Sequence, residues 1–298
     1  MNKKLLLTAL LILGTAFWGI SFSVTKMAVG GLSQSTFLLY RFLLATLVLS
    51  VAFYRQLKNT GPTSIVQGIM LAILLTASIN FSTLGIKYAP ASQCAFVAGT
   101  GVILIPVLKL LIYKKQVEMN TWLAAAVALA GLFIVSVRSD FTVGVGDMYT
   151  VIATFGFAFY LIRVEKFSAS GNIVHTIVPM FATCTLIMFC IAMADSSAEW
   201  LPERRSFWIG VIYCALFSTA YVYTVSNVAQ RYISAEKVAI IYLFEPIFAA
   251  VASVIILGET LSWRLLVGGS LIFAGTLISE INWAALKKSD RIAGGPEM

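Results

Sequence analysis

The sequence predicts an all-α membrane protein with ten transmembrane helices arranged as two inverted five-helix repeats. Three observations carry that prediction. Of 298 residues, 59% are hydrophobic and only 11% are charged, whereas soluble domains hold roughly 25% charged residues. A window of about 19 residues finds ten apolar stretches joined by short connections. A shift of 144 residues lays the second half of the chain over the first.

The predicted spans are 5–29, 34–54, 65–86, 91–113, 120–137, 147–165, 172–194, 206–227, 235–257 and 263–283. The first begins like a signal peptide, with Lys3-Lys4 ahead of an apolar run. That run continues past Trp18 to Val29 without a small-x-small cleavage site, so it reads as a retained helix. Small residues recur within spans, as in Ala124-Ala125-Ala126 and Gly268-Gly269-Ser270, and permit close helix approach. The longest connection, 195–205, is polar and aqueous. Cys94, Cys184, Cys190 and Cys214 all sit in apolar runs without metal-ligand spacing, so packing is their expected role.

The net charge of +8 raises a nucleic-acid reading, but the basic residues are scattered over loop ends. With a cytoplasmic N-terminus, thirteen Lys and Arg fall inside and six outside, leaving Arg41 and Lys109 within spans. The excess places both termini in the cytoplasm of an inner-membrane protein. Arg41 and Lys109 are expected to snorkel toward the aqueous faces. Arg41 also has the alternative of receiving an anionic group as a planar fork.

The repeat pairs Tyr88, Ala91 and Ala95 with Tyr232, Ala235 and Ala239, and Ala130, Gly131 and Ile134 with Ala274, Gly275 and Ile278. Residues 84–136 give nine identities in 53 positions. At a shift of 142, Ala16-Phe17-Trp18 falls on Ala158-Phe159-Tyr160. Five spans per half is odd, so the halves insert in opposite senses, with a site expected at their interface near the midplane. The expected units are 1–143, 144–285 and a polar cytoplasmic tail, 286–298.

Glu245 is the foremost candidate residue. It lies mid-way along a 23-residue apolar run, Ala235–Leu257, and is followed by Pro246. A carboxylate at that depth costs at least about 2.5 kcal/mol, so it faces a bundle interior or a wet cavity. Pro246 leaves the Tyr242 carbonyl without its usual helical donor. Glu245 is therefore both a substrate-binding and an ion-coupling candidate; the alternative is a structural acid satisfied by a neighbouring hydroxyl. Asn80 and Gln93 are mid-span amides that need partners, as substrate contacts or as interhelical clamps. Trp18, Tyr160, Tyr221, Asn227 and Tyr242 complete the predicted pocket, because aromatic rings with a polar edge suit amphiphilic solutes. Ordinary packing is the competing fate of each. The single histidine, His175, sits at a span start and reads as structural, with a proton relay as the lesser alternative.

These features together resemble the drug/metabolite transporter superfamily, specifically its ten-helix EamA-type members. The resemblance rests on Phe17-Trp18-Gly19 with Lys26, Tyr40-Arg41-Phe42 and Tyr88-Ala89-Pro90-Ala91. In the second half it rests on Glu245-Pro246-Ile247-Phe248-Ala249-Ala250, Gly258-Glu259-Thr260-Leu261 and Gly275. Two departures stand out. Lys114-Lys115-Gln116-Val117 replaces a first-half Gly-Glu-x-Leu, and Pro106 stands four residues beyond Val102, the repeat mate of Pro246.

No phosphate loop, metal-binding His pair or catalytic acid–base set is present, so no enzyme, cofactor or ATP-driven pump is expected. The resemblance implies alternating-access efflux of amino acids or related metabolites, with protons as the coupling ion. Uptake of a vitamin or nucleotide-like metabolite is the alternative within transport. A lipid scramblase or accessory membrane subunit is the alternative outside it, and would carry a lipid-facing polar groove. Substrate identity and oligomeric state are not readable from the residues.

Overall fold

A computed structural model describes residues 3–30, 32–89, 91–114, 116–136, 144–171, 173–245, 247–248, 251 and 263–280. Pro246, the Gly258–Leu261 motif and the tail 286–298 lie outside the described residues. The first half holds α1 (Lys3–Val29), α2 (Gln34–Ala52), a short α3 (Tyr54–Lys58), α4 (Pro62–Tyr88), α5 (Ala91–Gly99), α6 (Gly101–Tyr113) and α7 (Met119–Ser136). The second holds α8 (Val145–Ser170), α9 (Val174–Ala194), α10 (Arg205–Tyr213), a π-helical segment (Cys214–Tyr221), α11 (Val222–Ala229), α12 (Ala235–Tyr242) and α13 (Trp263–Glu280). Among the described residues, seven helical stretches are long and apolar enough to cross a membrane. No strand occurs among them.

Residue chemistry explains several ends. Ser33 caps α2 by accepting from the Ser35 N–H at 3.1 Å. Pro62 opens α4, where its missing N–H costs nothing. The predicted second span ran to Tyr54; the helix instead stops at Ala52, and Tyr54–Lys58 forms a separate basic turn with no buried residue. Its Lys58 ammonium lies 5.0 Å from the Tyr54 ring centroid, as suits a headgroup-level segment.

Packing runs mostly between the halves: α1 against α10, the π segment and α11, α8 against α4, α2 against α9, and α7 against α13. Small residues set the closest approaches. A Cβ on Gly131 would lie 2.5 Å from the Gly268 carbonyl and 2.9 Å from the Ile272 nitrogen. A Cβ on Gly275 would lie 2.8 Å from the Ala124 carbonyl and 2.7 Å from the Ala128 Cβ. Adding 144 to 124, 128 and 131 gives 268, 272 and 275, so the two contacts are the same contact with the halves exchanged. Lipid provides no hydrophobic drive for helix association, which leaves such backbone-close packing to supply it.

Opposite the chain's N-terminal end, Asp195 at the end of α9 ties down the start of α2. It accepts from the hydroxyls of Ser33 (2.5 Å) and Ser35 (2.7 Å), and from Ser197 through both its hydroxyl and its N–H. The Ser197 hydroxyl first, then those of Ser33 and Ser35, hold the Asp195 carboxyl well below the usual carboxylate range. The loop beyond it is also anchored: the Tyr40 hydroxyl donates to the Trp200 carbonyl, and Arg204 donates to that of Gly30 at 2.5 Å.

Two outcomes are expected. Gly131→Ala and Gly275→Ala each lower the melting temperature of the purified protein, at about 1–3 kcal/mol of overpacking; Gly61→Ala, with open space around it, shifts it less. For Asp195 the folded-state pKa is depressed, so its stabilisation is complete above about pH 4, the unfolded value. It declines as pH falls from there through the folded value. Asp195→Asn is expected to melt earlier than the parent at pH 7, with the gap closing below about pH 4.

Candidate functional site

Two spans break at corresponding places. The fourth span divides at Thr100, where the Thr100 N–H bonds to Val97 and the Ile103 N–H to Thr100, both three residues back. The ninth divides after Tyr242, where Leu243 and Phe244 bond to Ile240 and Ile241, again three residues back. Adding 144 to Thr100 gives Phe244. Paired interruptions in corresponding helices are tolerated in a bilayer where the loosened backbone is buried in protein or borders a cavity.

A cavity of about 140 Å³ lies at these breaks, with Ala98 and Glu245 in its wall. Trp18, Phe157 and Tyr223 supply an aromatic side, and Ser21, Thr25, Ser78, Ser82, Thr83, Thr150 and Thr154 supply hydroxyls. A second space of about 80 Å³ shares Trp18, Phe157 and Glu245 and adds Tyr242, Ile105, Leu161 and Ala239. A third, of about 170 Å³, continues from Thr25, Thr83 and Ile86 to Lys26 and Lys87 at the far end of α1 and α4. Glu245 is the one acid among the described residues that line these spaces.

A cluster of paired charges lies toward the opposite end. Lys109 pairs with Glu165 and with Glu236 at 2.8 Å, and Glu165 also accepts from the Ala235 N–H at 3.2 Å. Ile105, Leu161 and Ala239, at the base of the second space, each stand one helical turn from a member of this triad. Lys109 was expected to snorkel. It is buried instead, because α8 and α12 bring two carboxylates to it. Sequence reasoning passed over Glu165 and Glu236; the available signal was three ionisable residues near the same-side ends of spans four, six and nine.

Arg41 was also expected to snorkel, and it too is buried, at 7% exposure. Its Nε donates to the Thr219 hydroxyl at 2.6 Å and its Nη2 to the Ser218 hydroxyl at 3.1 Å. Both hydroxyls belong to the π segment, whose wider turn also leaves the Ser218 carbonyl to accept from the Trp18 indole N–H at 2.7 Å.

Of the candidates read from sequence, Trp18 and Glu245 border both the cavity and the second space, and Tyr242 borders the second space alone. The Trp18 ring centroid lies 4.7 Å from that of Tyr242, and the Tyr242 hydroxyl donates to Ser226 at 2.5 Å. Tyr160 stands one layer behind, stacked on Phe157 at 5.7 Å and donating to the side-chain amide oxygen of Asn227 (Oδ1) at 2.7 Å. Tyr221 turns toward α1, donating to the Leu10 carbonyl at 3.1 Å. Asn80 lies off the cavity-lining face of α4. The side chain of Gln93 lies outside the described residues. No cluster of metal-ligating residues occurs among those described.

Comparison with known proteins is consistent across the chain. The EamA-like transporter family matches residues 6–137 and again 144–280. An uncharacterized transporter of Archaeoglobus fulgidus is 24% identical over 93% of this chain and 86% of its own length. The uncharacterized transporter YcxC of Bacillus subtilis is 22% identical over 93% of each chain. A solved crystal structure superposes with a TM-score of 0.76 at 14% identity, covering 94% of this chain and 97% of the other, a likeness of fold.

Proposed function

Because the chain belongs to the EamA-like transporter family, we propose that it is a secondary carrier exporting a small organic metabolite, an amino acid or a related compound, across the inner membrane by alternating access. One observation carries this reading. The cavity at the paired helix breaks continues toward Lys26 and Lys87 at one end and stops above the Lys109–Glu165–Glu236 triad at the other. With both termini cytoplasmic, as the excess of basic residues favours, this is an outward-open arrangement. The exchange-related contacts of Gly131 and Gly275, and the related breaks at Thr100 and Phe244, support ten helices in two inverted repeats. Polar groups gathered around an interior cavity favour a carrier over a scramblase, whose groove would face lipid.

In this mechanism the triad is the cytoplasmic closure. Its three members come from α6, α8 and α12, so opening must part elements of both halves. Removing one partner of a buried pair costs about 3–5 kcal/mol, enough to bias the two states strongly. Glu245 meets the cavity where the ninth span is loosened, and is the residue proposed to take up and release a proton during the cycle. Trp18, Tyr242 and the hydroxyls of α4 and α8 line the substrate path, with Tyr160 and Asn227 bracing them.

Purified protein in liposomes loaded with single amino acids is expected to exchange at least one of them with external label and to accumulate it under a proton gradient. Failure of folded protein to exchange any amino acid overturns the substrate class. Glu245→Gln is expected to retain exchange and lose gradient-driven accumulation, since exchange needs only reorientation of the loaded carrier. A folded variant that remains fully coupled makes Glu245 a structural acid.

The triad has its own test. In protein whose native cysteines are replaced, a cysteine at Ala239 is expected to react slowly with a membrane-impermeant maleimide from the cytoplasmic face. Lys109→Gln is expected to accelerate that reaction several-fold, while a cysteine at Ser197 stays reactive from the outside only. An unchanged rate at Ala239 ends the closure assignment, and labelling of Ser197 from the cytoplasm reverses the orientation.

A further inference from the structure

The guanidinium of Arg41 is the cavity's unexplained charge. It is more than nine-tenths buried and lines the same space as Glu245. Its two protein partners are neutral: the hydroxyls of Thr219 and Ser218 occupy Nε and one hydrogen of Nη2. A guanidinium carries five N–H donors in a fixed plane. The Nε–Nη2 edge is therefore engaged, and Nη1 with the second hydrogen of Nη2 remains as an end-on fork. The ion pairs among the described residues join Lys109 to Glu165 and Glu236; no described carboxylate pairs with Arg41. Glu245 shares the cavity without reaching ion-pair distance.

A buried cation at membrane depth held by two neutral hydroxyls is an incomplete arrangement. Hydroxyls orient the plane but supply no counter-charge, and an unneutralised charge away from bulk water is costly. The approach to it is also cationic, since Lys26 and Lys87 line the adjoining space that shares Thr25, Thr83 and Ile86 with the cavity. Basic residues along an access path raise the local concentration of anions. We infer that Arg41 is an anion-recognising residue of this cavity, and that the transported solute carries a carboxylate or phosphate group received on its free Nη1–Nη2 edge. The inference rests on the proposed carrier function and names the chemistry of the solute's recognised end. It also gives the π segment a role: its hydroxyls hold the guanidinium plane toward the cavity, which a Lys at this position could not reproduce.

The test uses thermal stabilisation of purified, detergent-solubilised protein by matched probes: L-amino acids, their carboxamides, simple aliphatic monocarboxylates, and glycerol phosphate. Stabilisation by members bearing a carboxylate, but not by the carboxamides, is expected if the recognised group is a carboxylate. Stabilisation by glycerol phosphate alone assigns it to phosphate. In Arg41→Gln, checked for helicity and monodispersity, apparent affinity for the preferred anion is expected to fall at least tenfold. Arg41→Lys is expected to recover only part of it, because charge returns without the fork. Carboxamides that bind the parent as well as the acids do, no anion that binds at all, or an Arg41→Gln protein that keeps the acid preference would each overturn the inference. A neutral solute exchanged in liposomes by parent and Arg41→Gln alike would leave the carrier reading standing while removing this one.

Discussion

Hydrocarbon offers no hydrogen bonds, and among the described residues the places where the chain loosens a helix or buries a charge answer to that constraint. Among the described residues, three segments depart from regular α-helix within the bundle: the turn at Thr100, the turn at Leu243–Phe244 and the π segment Cys214–Tyr221. All three border one cavity or supply the groups that hold its wall. The carbonyl of Ser218 accepts from Trp18, and the hydroxyls of Ser218 and Thr219 accept from Arg41. Irregular backbone thus gathers around this interior space.

The same constraint sorts the ionisable side chains. Lys109 is neutralised by two carboxylates on other helices. Arg41 and Glu245 face a common space without pairing with each other. Charges satisfied within the protein hold helices together, whereas charges left facing a cavity are available to something that enters it.

A symmetric scaffold carries an asymmetric site. Gly131 and Gly275 make the same contact with the halves exchanged, and Gly14 meets Val222 as Gly156 meets Ser78, with 78 and 222 again 144 apart. Yet the repeat mate of Glu245 is Gly101, and that of Trp18 is Tyr160. Helix packing depends on small residues at repeated positions and so preserves the repeat. The groups that line the cavity are not repeated in this way, as these two pairs show.

Composition and periodicity were sufficient for the all-helical membrane class, because bilayer thickness acts on single segments. That Trp18, Tyr242 and Glu245 border interior space agrees with their being polar or amphipathic groups within apolar runs. The burial of Arg41 and Lys109 was not legible, since snorkelling and burial begin from the same residue at the same depth. The outcome depends on which neighbour a helix face meets: hydroxyls of the π segment for one, carboxylates of α8 and α12 for the other. Within a single span, Tyr221 turned toward α1 while Ser218 and Thr219 turned toward Arg41. That rotation is set by a π turn which no residue pattern announces. Sequence determined what must be buried and at what depth; only the packing of helices far apart in the chain decided what each buried group would face.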